Sequence, residues 1–162
     1  MILPGNSIVQ IAWVVNDLSS AVARFRKTLN TGPFTFIEHV QLNDFKYRGK
    51  ASSADYSMAV VQAGDVQLEL IEQHDDAPSV YRDLYPRGKE GFHHVAVFVP
   101  DVTAEVARYA ALGLEIGCTG RFGDCDIAYV DSSPVLGHMV EILPDTAVMR
   151  GFFDAVRTSS EA

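Results

Sequence analysis

Gln10 and His94 each stand in an otherwise apolar, β-branched run, and Glu69 and Glu141 do the same within VQLELI (66–71) and HMVEIL (138–143). The two pairs are related by sequence. Setting QIAWVVND (10–17) over HVAVFVPD (94–101) aligns Ala12 with Ala96, Val15 with Val99 and Asp17 with Asp101 at an offset of 94 − 10 = 84. Glu69 falls on Glu141 at 141 − 69 = 72, the smaller offset reflecting a longer loop in the first half. A lone carboxylate in such a run is normally the solvent face of an edge strand, and a lone strand histidine a satisfied packing residue. Four polar groups at repeat-equivalent places read differently, because strand residues pointing into a cleft between two related sheets meet their pseudo-twofold mates there.

An amide carbonyl, an imidazole and two carboxylates suit a divalent ion such as Mn, Fe, Co, Ni or Zn, with positions left open for substrate or water. Gln10, Glu69, His94 and Glu141 are therefore the expected metal ligands. A divalent ion chelated by vicinal oxygens of a small substrate would stabilise the enediolate formed when an α-proton leaves. Glu141 is the first choice for the base and Glu69 its partner, while His94 acts as a ligand only. Tyr129, Asp131 and His138 are the candidates for the substrate pocket. His93, one residue before His94, is expected by strand alternation to point to the opposite face.

The elements that must position these residues repeat in the same order. A strand over 7–15 leads through Asn16 and Asp17 into a helix over Leu18 to Leu29, whose Leu18, Val22, Phe25 and Leu29 form an apolar stripe. Strands follow at 34–42, 56–62 and 66–71, with the polar segment 46–53 read as a loop that could act as a lid. The second half gives a strand over 92–99, a helix over 102–112, strands at 114–119, 126–131 and 139–143, and a closing helix from about Ala147 to Val156. The fold predicted is α+β, two tandem βαβββ modules forming a shared, cupped mixed β-sheet cleft with flanking helices. Residues 1–72 and 92–146 are the modules, 73–91 the linker, and 147–162 a C-terminal helix and tail. One module alone would leave open sheet edges, so the two are expected to pair.

Composition narrows the partners. The 162 residues carry 13 Lys+Arg against 21 Asp+Glu, a net charge of −8, with 48% hydrophobic residues. That size and apolar content bury a real core, and the acidic balance lacks the positive surface that nucleic acid or an anionic membrane would require. No run approaches the length of a membrane span, and residues 1–5 lack the basic start of a leader, so a cytoplasmic protein is expected. Cys118 and Cys125 have neither zinc-pair nor redox-motif spacing and are expected to be reduced thiols. A homodimer is compatible with these features.

The segments around Gln10, Glu69, Gly91 to Asp101 and Leu136 to Ile142 together resemble the vicinal oxygen chelate superfamily, which includes glyoxalase I, methylmalonyl-CoA epimerase, bleomycin-resistance proteins and extradiol dioxygenases. The resemblance spans about residues 7–145. It implies the paired-module fold and metal ligands at Gln10, Glu69, His94 and Glu141. A Gln-Glu-His-Glu set is similar to some glyoxalase I enzymes, whereas GFHHV (91–95) is more like the epimerase branch, which would add a carboxylate near 38–44, at Glu38 or Asp44. The implied activity is a metal-dependent isomerisation, epimerisation or glyoxalase-like lyase step on a small substrate with vicinal oxygens. Two alternatives stay open: a metal-free module that sequesters a drug or aromatic molecule, and an extradiol-type dioxygenase, against which Gln10 argues because the iron sites of that group resemble two histidines and one carboxylate.

Overall fold

Asp17 and Asp101, the repeat-equivalent aspartates, each follow a strand and cap a helix, their carboxylates accepting from the backbone N–H of Ser20 and Ala104 at 2.7 and 2.9 Å. The computed structural model of the chain describes residues 6–161. Its elements run β1 (Ile8–Val14), α1 (Leu18–Leu29), β2 (Thr35–Ile37), β3 (Asn43–Tyr47), β4 (Lys50–Ala51), β5 (Tyr56–Ala63), β6 (Val66–Gln73), α2 (Val80–Leu84), β7 (Gly91–Val99), α3 (Val102–Ala111), β8 (Glu115–Phe122), β9 (Cys125–Asp131), α4 (Ser133–Leu136), β10 (Met139–Pro144) and α5 (Ala147–Ser160).

All ten strands join one mixed sheet in the order β2-β5-β6-β1-β7-β10-β9-β8-β3-β4. β1 and β7 pair antiparallel at its centre, β6 runs parallel to β1, and β10 runs parallel to β7, so the repeat in sequence is a twofold relation in space. This is the expected α+β fold with a shared mixed sheet. Alternation then divides the sheet into two faces. Leu18, Ala21 and Val22 of α1 pack on Ala59, Val61, Leu68 and Leu70, while Val102, Val106 and Tyr109 of α3 pack on Val97, Val130 and Ile142. Trp13 lies edge-on to Phe25 at 5.1 Å on that same helix-covered face. The residues between these, Gln10, Glu69, His94 and Glu141 among them, are left facing the concave side, which α5 crosses.

Two expectations change. The strand expected over 34–42 ends at Ile37, and His39 just beyond it takes a left-handed backbone, φ 48°, that turns the chain out of the strand's line. Segment 46–53 is not a free lid but the turn of the β3–β4 hairpin, which lies along the outer edge of β8, with Lys46 opposite Thr119 and Tyr47 opposite Cys118. Residues of the first half thus cover an edge of the second half's sheet. Arg48 in that turn pins it, bonding Asp83 and Asp131 at 2.8 Å each and also Glu115. The linker holds α2, capped by the Ser79 hydroxyl. Cys118 and Cys125 are free and buried. Among the described residues no helix is long and apolar enough to cross a membrane.

Candidate metal centre

Pairing register brings the four predicted groups to one point. Ala12 of β1 stands between Glu69 on β6 and His94 on β7, and Ala96 of β7 stands between Gln10 on β1 and Glu141 on β10. Both alanines are fully buried, and their short side chains leave room above the floor that a larger residue would fill. His94 Nε2 lies 3.4 Å from Glu69 Oε2 and 3.3 Å from Glu141 Oε2. One ligand atom from each of Glu69, His94 and Glu141 lies within 4.8 Å of the others. Gln10 lines the same cavity as Glu69 and Glu141; its Nε2 donates to Gln67 Oε1 at 2.6 Å, and its side-chain oxygen is buried without a hydrogen bond.

The energetics of this floor are wrong for a packing core. A leucine at position 69 would stabilise the fold by about 1.5–3 kcal/mol through burial, whereas a buried carboxylate without a partner is destabilising. Glu69 Oε2, His94 Nε2 and Gln10 Oε1 are all buried and make no hydrogen bond. Burial, followed by the negative charge of Glu141, pushes the Glu69 carboxyl well above the usual carboxylate range. A divalent cation among these atoms would satisfy all of them at once, so the residues present fit such an ion.

His93 departs from the alternation rule. The β1–β7 register shifts between Ala12 and Trp13, which pair with His94 and Phe92 and leave His93 as the extra residue of a bulge. Its ring therefore stays in the interior beside His94, with Nδ1 2.9 Å from His94 Nδ1 and Nε2 2.9 Å from the carbonyl oxygen of Val80. Burial and the adjacent imidazole push His93 down to about 3, so it is neutral. The Val80 carbonyl can only accept, which puts the His93 proton on Nε2 and leaves Nδ1 to accept from His94 Nδ1–H. In the neutral ring, the form that ligates a metal, His94 Nε2 then carries the lone pair and faces the two carboxylates.

Above the floor lies a narrow cavity. Its walls are largely aromatic: Tyr56, Tyr81, Tyr129 and Phe122, with Phe152 and Phe153 from α5. Tyr129, expected in the pocket, is there, its ring centroid 5.0 Å from that of His94. Asp131 is not, because it is engaged by Arg48 and by Ser133 at the end of β9. His138 also lies outside the cavity, its Nδ1 2.8 Å from the Met139 carbonyl oxygen and its ring against Phe92. Glu38 and Asp44 are exposed and do not line the cavity, where Val40 and Leu42 stand instead. Among the described residues no Lys or Arg lines it. Gln67 was not anticipated, although it lies two residues before Glu69 and so on the same face; the α5 aromatics gave no local signal at all.

A sequence profile described as the Glyoxalase/Bleomycin resistance protein/Dioxygenase superfamily matches residues 9–129. No curated protein sequence matches the chain. Among solved structures, methylmalonyl-CoA epimerase from Mycobacterium tuberculosis is similar with a TM-score of 0.60 at 18% identity, covering 93% of this chain and 97% of that one. A variant of the Streptomyces coelicolor methylmalonyl-CoA epimerase in complex with 2-nitronate-propionyl-CoA gives 0.57 at 21% identity, with 88% and 99% covered. A hypothetical protein from Bacillus halodurans C-125 gives 0.58 at 14% identity, with 88% and 96% covered. At these identities the likeness is one of fold. The profile spans most of the chain and the paired-module sheet is shared, so the chain belongs to the glyoxalase/bleomycin resistance protein/dioxygenase superfamily, the vicinal oxygen chelate superfamily.

Proposed function

We propose that the protein is a divalent-metal-dependent enzyme that moves a proton at a carbon next to a carbonyl, in an isomerisation, epimerisation or lyase step. The observation that carries this reading is His94 Nε2 held 3.4 and 3.3 Å from two buried carboxylates, Glu69 and Glu141, with no hydrogen-bond partner of its own. Gln10, Glu69, His94 and Glu141 would hold the ion. When bound, it supplies Lewis acidity to the oxygens of the substrate and so raises the acidity of the neighbouring C–H. The carboxylates then divide the proton work. Glu141 takes the α-proton and Glu69 returns one, each carboxylate swinging off the ion to carry its proton, because a carboxylate bound to a cation is held ionised. Glu141 loses its proton to solvent and Glu69 regains one to complete the cycle. That two of the neighbours of like fold are epimerases of an acyl-CoA supports the reaction class.

The cavity adds a constraint on substrate. Its wall is apolar and aromatic, with polar groups concentrated on the floor, so the portion of the substrate seated there is compact and presents its oxygens inward. An anionic tail, if one is present, lies outside. The same aromatic wall suits the rival reading of a sequestering module, and one experiment separates the two. Protein reconstituted with Mn, Co, Ni or Zn is offered α-hydroxy-carbonyl, 2-methyl-acyl thioester and glutathione hemithioacetal compounds in D₂O, and deuterium at the α-position is followed by mass spectrometry. Metal-dependent incorporation is expected with at least one class. Incorporation into none, with tight binding of an unreacted aromatic ligand, overturns the enzyme.

A further inference from the structure

A second group of side chains lies outside this cavity, on the loops that frame it. We propose that His39, Asp55 and His74 form a surface site for a borderline divalent transition ion such as Zn²⁺, Cu²⁺ or Ni²⁺, separate from the centre at His94. One nitrogen of each imidazole and one oxygen of Asp55 lie within 4.8 Å of one another. Donor atoms around a tetrahedral ion with bonds of about 2.0–2.1 Å stand ~3.3 Å apart, so side-chain rotation alone closes the set. Two imidazoles with one carboxylate select these ions over Mg²⁺ or Ca²⁺, which take oxygen ligands.

Three features distinguish the group from a chance surface cluster. His39 Nδ1 lies 2.7 Å from Asp55 Oδ1, a pair that is complete by itself, yet the His74 ring lies alongside with its centroid 5.0 Å from that of His39. His74 Nδ1 also faces Glu72 Oε1, at 3.6 Å, but that contact is longer than the His39–Asp55 pair, and two protonated imidazoles side by side would repel each other. A shared ion holds both rings without that repulsion. The backbone is also braced for the purpose: His39 holds a left-handed conformation with its N–H on Ser57 Oγ at 3.0 Å, and the same Oγ lies 2.7 Å from His74 Nε2. The His74 N–H bonds the Asp55 carbonyl oxygen at 2.8 Å, so all three donors are tied to one another before any ion arrives.

The placement gives the site a role. His39 directly precedes Val40, and Asp55 directly precedes Tyr56; Val40 and Tyr56 bond to each other at 2.8 Å and both line the main cavity. An ion at the surface therefore clips together the two loops that carry one wall of the cleft, and adds His74 at the end of β6 as a third anchor.

The test uses the full chain, freed of metal, titrated calorimetrically with Zn²⁺. Wild-type protein is expected to bind one equivalent more than a His39→Ala/His74→Ala double variant, and equal stoichiometry in the two overturns the proposal. The difference decides, whatever the main centre binds. A second measurement loads a His94→Ala chain with one equivalent of Cu²⁺ and records its electron paramagnetic resonance. Coupling to two imidazole nitrogens is expected, which the main centre, stripped of its one ligating imidazole, could not supply. A spectrum with one imidazole nitrogen or none overturns the site.

Discussion

His93 holds His94 in the tautomer that aims a lone pair at Glu69 and Glu141, through a 2.9 Å contact between the two Nδ1 atoms and a second 2.9 Å bond from His93 Nε2 to Val80. A ring that is never itself a ligand thus sets the donor state of one. Replacing His93 by Phe keeps a ring but neither bond, and metal affinity is expected to fall by about 10–100-fold. His93→Asn, which restores an acceptor near the position of Nδ1, should retain more of it. Competition against a chelator of known affinity measures both. Unchanged affinity in the Phe variant would remove His93 from the centre.

Glu141→Gln separates binding from chemistry. The amide oxygen can still reach the ion while the group can no longer accept a proton, so metal content should persist and α-proton exchange should drop by two or more orders of magnitude, in the range of about 10²–10⁴ for loss of a general base. Elemental analysis and the D₂O assay on one preparation give both numbers. Parallel loss of the two would assign Glu141 to ligation alone.

Most of the strands, the helices α1, α3 and α5 and the meeting of Glu69, His94 and Glu141 were legible because a repeat, period-two alternation and helical periodicity are properties of the chain itself. What was illegible depended on partners elsewhere. The bulge at His93 arises from the register against β1, and no local pattern in GFHHV announces it. β3 is a short, mostly exposed strand that joins the sheet only through β8, more than seventy residues away, its other partner being the two-residue β4, so its sequence reads as a polar loop. Asp131 looked free to meet substrate only because Arg48, its actual partner, is 83 residues away.

The α5 wall makes its own prediction. Phe152 lines the cavity and meets Phe122 with ring centroids 5.8 Å apart, far from the chelating floor in chemistry though facing the same space. Phe152→Ala should lower kcat/KM by about tenfold or more through lost substrate contact while leaving metal content unchanged. Steady-state kinetics with elemental analysis checks it; an unaltered kcat/KM would place the substrate elsewhere.

Gly32 fixes where α5 ends. A Cβ built at this residue would lie 1.9 Å from the carbonyl oxygen of Ser160 and 2.9 Å from its carbonyl carbon, backbone atoms that no side-chain rotation can move aside. The close approach is part of a seam: Ser160 Oγ accepts from the Gln62 N–H at 2.9 Å, and Thr35 bonds Ser159 at 3.2 Å, so the last turn of α5 is stitched to β2 and β5. Gly32→Ala must therefore push that turn outward and strain or break these bonds. Overpacking of this kind costs about 1–3 kcal/mol, so a fall in Tm of several degrees is expected by thermal denaturation. Because the helix enters from β10 and is anchored again at this seam, its displacement should also loosen Phe152 and Phe153 over the cavity, raising KM while the ligands on the sheet floor keep their metal. A Gly32→Ala chain with wild-type Tm and wild-type KM would show that the seam does not hold the helix in place.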